Sequence, residues 1–113
     1  MSRLTKILGV LILAVVAIAV VMTMLYKQAQ SPATSEEYLG GQWDHGASGG
    51  VVWSSFSNED NWHYAWVQGK TEKASDCVAP GEIARVTVDA KTFGRNDFAA
   101  GYCEKGQTDL SRP

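Results

Sequence analysis

The apolar and polar positions divide the chain into three parts. Residues 7–26 form an uncharged run of 20 positions, mainly Leu, Ile, Val and Ala. As a helix such a run spans about 30 Å, the thickness of a bilayer's hydrocarbon layer. Residues 28–37 are polar and include Ser31, Pro32, Thr34 and Ser35, the composition of a flexible linker. From Tyr38 onward the period changes to two. Val51, Trp53 and Ser55 alternate with Val52, Ser54 and Phe56, and Trp62, Tyr64 and Trp66 alternate with His63, Ala65 and Val67. Ala84, Val86 and Val88 alternate with Arg85, Thr87 and Asp89, and a last strand is predicted over 98–103. A strand sends successive side chains to opposite faces, so each set predicts one buried and one outward face.

Turn chemistry separates these strands. Residues 57–61 combine Ser, Asn and Asp, which bond their own backbone. Gly40, Gly41, Gly46, Gly49 and Gly50 read as tight turns, bulges or close approaches of neighbouring strands, with residues 40–57 forming the first hairpin. Residues 68–80 read as an irregular connection, 93–97 as a turn, and 104–113 as a polar, frayed tail. No helical period follows Glu37. The expectation is an all-β domain over 38–113, a small antiparallel β-sandwich, preceded by a signal or transmembrane helix at 1–27 and a linker at 28–37.

Charge orients the apolar segment. Arg3 and Lys6 precede it, and positive flanks stay in the cytoplasm, which places the domain outside. Two fates remain open. Ser31-Pro32-Ala33 has the small-x-small spacing of a signal cleavage site, which would release a secreted domain. Left uncut, residues 7–26 anchor the chain in the membrane, with Tyr26 and Lys27 at the outer interface. Only three of the ten basic residues precede Glu36, leaving seven against all twelve acidic residues in the remainder, a net of −5. An acidic domain is a poor partner for nucleic acid, which needs a basic footprint. Once the apolar segment is set aside, roughly 80 residues remain, a size at which a staple helps a small core. Cys77 and Cys103 are the only cysteines, and an even count in an exported domain favours a disulfide. Closing that loop is worth roughly 3 kcal/mol.

The candidate chemistry is sparse. His45 and His63 are the only histidines, and with Asp44 they make a poor metal set, so neither metal nor cofactor is expected. His45, beside Gly46, is better placed holding a turn by hydrogen bonding. Ser48, Ser54, Ser55 and Ser57 supply hydroxyls without the strand-turn-helix elbow of a hydrolase, so no enzyme activity is expected. The glycines lack the Lys-Ser/Thr ending of a phosphate loop. The aromatic residues should mostly fill the core. If the face bearing Trp62, Tyr64 and Trp66 stays open, it is a recognition surface for a partner, a glycan or a lipid.

One resemblance adds to this reading. Gly41-Gln42-Trp43-Asp44-His45-Gly46, then Val52-Trp53-Ser54-Ser55-Phe56-Ser57, then His63-Tyr64-Ala65-Trp66-Val67 resemble the lactococcin 972 family of bacteriocins in order and type. Residues 81–89 and 96–102 are similar to that family's later strands. The resemblance implies a small secreted β-sandwich, antibacterial toward related Gram-positive cells, acting on a cell-envelope component without catalysis. Gly41, Trp43, His45, Gly46 and His63 are its motif positions, with no established binding role to carry over. The chain departs from the pattern in its long apolar segment, in Cys103 within the closing strand, and in the tail at 104–113. A tethered protein would instead be an envelope-binding or self-protection module.

Overall fold

The structure, a computed structural model, describes residues 2–113. Helix α1 (Ser2–Ala29) contains the whole apolar run and is exposed from Arg3 to Met24, while Leu25 is half-buried and Ala29 is buried. Its 28 residues reach about 42 Å, and it is apolar enough to cross a membrane. The hydroxyl of Thr23, within the apolar run, donates to the Ala19 carbonyl (2.8 Å), one turn back in the helix.

Seven strands follow: β1 (Ser31–Tyr38), β2 (Gly41–Ser48), β3 (Val51–Ser57), β4 (His63–Gln68), β5 (Glu72–Ala74), β6 (Ile83–Asp89) and β7 (Asp97–Tyr102). They form two antiparallel sheets, ordered β1-β2-β3-β6 and β5-β4-β7. Val52, Ala84 and Val86 of the first sheet and Ala65 and Val67 of the second are buried in one apolar cluster. These are the inward sets of the alternations read above. β4 is central in its sheet and buried on both faces, from His63 to Val67. Cys77 and Cys103 lie at disulfide distance (S–S 1.98 Å, Cα–Cα 6.0 Å). They join the connection before β6 to the end of β7.

Three expectations need correction. Residues 28–37 are not a linker. α1 runs to Ala29, and β1 begins at Ser31 with only Gln30 between them. β1 is an edge strand whose side chains are mostly exposed, so its composition is polar although its backbone pairs with β2 from Ser31↔Ala47 to Tyr38↔Gly41. Pro32 falls where that register shifts, in an edge strand that tolerates its missing N–H. The connection at 68–80 contains β5. The tail at 104–113 folds back over the second sheet instead of fraying.

The strand directions give the domain two ends. Ser48, Val51, Asp89, Gln68 and Asp97 lie at the end where α1 enters. Tyr38, Gly41, Ser57, Ile83, His63 and Tyr102 lie at the far end. Leu39 and Gly40 (φ 49° and 76°) make the β1–β2 hairpin turn and Gly49 and Gly50 (φ 60° and 83°) the β2–β3 turn, and their paired positive φ values match the strands' right-handed twist.

Candidate functional site

The motif residues separate into two places. Trp43 and His45 project from β2 toward β7. The His45 ring stacks on Phe98 (centroids 4.3 Å apart, 25° between planes) and lies 4.0 Å from the Trp43 ring. His45 is buried, and its Nε2–H donates to Glu36 Oε2 at 3.0 Å. A carboxylate only accepts, so the proton of this contact belongs to the ring. His45 Nδ1 is buried with no hydrogen-bond partner among the described residues. Trp43 Nε1–H donates to Ser54 Oγ (2.9 Å), and the Ser54 hydroxyl donates to the Ala99 carbonyl (2.8 Å) on the other sheet. The buried serine is therefore spent on joining β2, β3 and β7, and is not free as a nucleophile. Glu36 and Phe98 were not singled out from sequence. Each is an ordinary residue in its own segment, and only the pairing of strands brings them to His45.

His63 lies at the start of β4 and is fully buried. Its Nδ1 is 2.8 Å from the Asn61 carbonyl oxygen and its Nε2 is 2.8 Å from that of Glu82. Carbonyl oxygens only accept, so the ring donates to both only when both nitrogens carry hydrogen. The ring thus links the turn before β4 to the segment entering β6, whereas His45, expected to hold a turn, lies within β2. Asn58, also buried, completes this corner: Oδ1 accepts Asp60 N–H (3.0 Å) and Asn61 N–H (2.9 Å), and Nδ2 donates to the Leu39 carbonyl (2.9 Å).

The motif glycines answer to close approach. A Cβ on Gly46 would stand 2.5 Å from the Trp53 ring, and one on Gly41 would stand 2.0 Å from the Ser57 carbonyl oxygen. A larger residue would have to displace the Trp53 ring at Gly46 and the β3 backbone at Gly41.

The stripe of Trp62, Tyr64 and Trp66 is not an open surface. Trp62 precedes β4 and is half-buried; Tyr64 and Trp66 are buried, at 5% and 2% exposure. The tail covers them. Tyr64 Oη–H donates to the Ser111 carbonyl (2.7 Å), the Arg112 guanidinium lies 5.3 Å from the centre of a Trp66 ring, and Pro113 packs on Gly101. Arg112 also pairs with Asp97 (3.1 Å), and Trp66 Nε1–H donates to Glu72 Oε1 (2.8 Å). Burial raises the Tyr64 phenol above its usual range. At the far end Tyr38, Leu39 and Tyr102 keep apolar surface exposed, and the Tyr102 hydroxyl donates to the Leu39 carbonyl.

A third set of contacts joins the helix to the domain. Asn96, buried, donates from Nδ2 to the carbonyls of Ala29 (2.8 Å) and Lys91 (3.1 Å), and its Oδ1 accepts Lys91 N–H (2.7 Å). Gly94 N–H donates to the Leu25 carbonyl (3.1 Å). Asn96 reads from sequence as turn punctuation, and nothing local in the sequence points from it to Ala29. These arrangements organise strands and loops; they do not bring a nucleophile, a base and an oxyanion donor together. In comparison with known proteins, no family model, no curated protein and no solved structure matches the chain.

Proposed function

We propose that this chain is a membrane-anchored extracytoplasmic binding or structural module. In this reading α1 stays in the bilayer and holds the two sheets, packed as an antiparallel β-sandwich, outside the cell without catalysis. The observation that carries it is the joint between Ala29, Leu25 and the 91–96 loop, which leaves no free linker between helix and domain. A signal cut after Ala33 would remove Ser31–Ala33 from β1 and the Ala29 carbonyl from Asn96. Two further features support the outward orientation. Arg3 and Lys6 lie in the first turns of α1, on the N-terminal side of its apolar run. The Cys77–Cys103 pair suits an oxidising compartment.

The test is protease treatment of intact producing cells. Loss of the domain from the membrane fraction, leaving a helix-sized fragment, is expected; protection of the whole chain until the cells are lysed would refute the outward orientation. The second reading is a secreted antibacterial protein of the lactococcin 972 type acting on a cell-envelope target. It is supported by the ordered motifs of residues 41–67, whose residues serve the fold in the contacts described above.

A further inference from the structure

We propose that the 91–96 loop is a membrane-seating element: Phe93 enters the outer interface of the bilayer that α1 crosses, while Lys91 and Arg95 meet lipid phosphates. The inference rests on the reading of α1 as a retained anchor. It adds a second contact between domain and membrane, which fixes how the domain stands.

Helix length sets the depth of the loop. Residues 7–26 fill about 30 Å as a helix, so Leu25 and Tyr26 lie where hydrocarbon gives way to headgroups. Gly94 N–H is bonded to the Leu25 carbonyl, which holds the loop at that depth. Phe93, next to Gly94, is an apolar ring left 42% exposed. In water that exposure is unfavourable. At the interface it is the common arrangement of an apolar side chain flanked by cations. Lys91 and Arg95 stand two residues to either side, and Lys27 ends the helix.

The loop is also built to stay there. Asn96 closes it through Lys91 and ties it to Ala29, so Phe93 is displayed by a braced turn. Charge is arranged to match. Lys70, whose N–H bonds the Asp89 carbonyl, adds a fourth cation at the helix end. Among the described carboxylates at that end, Asp97 is paired with Arg112 and Glu72 accepts from Trp66, while Asp89, exposed at the end of β6, is outnumbered by the four cations. At the far end Glu37 lies near the end of β1, and Glu59, Asp60 and Glu82 lie in the connecting segments. A domain lying on its far end would press these carboxylates against lipid phosphates. One standing on its helix end presents the cations.

The experiment uses the full chain in vesicles of phosphatidylcholine and phosphatidylglycerol. An environment-sensitive fluorophore is attached in three single variants, Phe93→Cys, Glu59→Cys and Leu13→Cys, with quenchers carried on shallow or deep acyl positions. The expected result is a blue-shifted Phe93 label quenched by the shallow lipid, a Leu13 label quenched by the deep lipid, and a Glu59 label that stays in water. Adding Asn96→Ala should reduce quenching at Phe93 and leave Leu13 unchanged. If Leu13 is quenched while Phe93 reports water, the seating element is wrong and the anchor stands. If Leu13 is not quenched, the anchor fails and the seating element fails with it.

Discussion

Asn96 donates its side-chain amide to the carbonyl of Ala29, 67 residues earlier, at 2.8 Å. The contact is buried and joins the last residue of an apolar helix to a loop between two strands. A helix end leaves its final carbonyls without intrahelical partners, and here one of them is satisfied by the domain itself. A removable signal does not need such a bond.

Asn96→Ala should therefore loosen the joint without dismantling the sheets. It removes three hydrogen bonds, to Ala29, Lys91 and the Lys91 N–H, and should lower stability by about 2–3 kcal/mol. Chemical denaturation of the full chain in detergent micelles measures the loss. Limited proteolysis should show new cleavage within 91–95. An unchanged midpoint and cleavage pattern would mean that the joint does not hold in solution.

The tail makes a separate prediction. Deleting residues 111–113 removes the Ser111 carbonyl from Tyr64 and the Arg112 cation from Trp66. Tryptophan emission should shift to longer wavelength, and stability should fall by about 1–3 kcal/mol. Arg112→Ala alone should cost under about 1 kcal/mol, because the Arg112 side of its pair with Asp97 is more than half exposed.

Tyr64 gives the pH dependence. Its phenol is raised in the folded state by burial. The unfolded phenol ionises near pH 10, at roughly its unperturbed value. The neutral form is thus favoured by folding, and its contribution is complete below about pH 10 and lost as pH rises toward the folded value. Tyr64→Phe should cost about 1 kcal/mol at neutral pH through the lost bond to Ser111. Above about pH 10 the native chain should lose stability relative to the variant. Denaturation midpoints of both proteins across this range decide it; parallel curves would place Tyr64 in water.

Replacing Cys77 and Cys103 together by Ser opens a loop with a sequence separation of 26. The cost should be roughly 3 kcal/mol, seen as a lower unfolding midpoint of the double variant. A midpoint equal to that of the native chain would mean that the two thiols are not joined in the folded protein.

The alternating strands β3 and β6 were legible because each has one inward face: Val52, Ser54 and Phe56 are buried, as are Ala84 and Val86. The hairpin glycines were legible for the same local reason, since turn geometry depends on a few adjacent residues. β1 was not. An edge strand exposed on most positions has no apolar period, and Pro32 with Ser31 and Thr34 matches a linker in composition. The covering of Tyr64 and Trp66 was also illegible, because the tail's polar sequence does not reveal that a backbone carbonyl and one guanidinium complete an aromatic face. Nor could the sequence connect His45 with Glu36 and Phe98, whose meeting depends on pairing across two sheets.

The most direct test of the central claim is the mass and N-terminal sequence of the mature protein, taken separately from the membrane fraction and the medium of producing cells. A retained anchor predicts a membrane-bound chain that still contains residues 3–29. A mature protein in the medium that begins near Thr34 would contradict it.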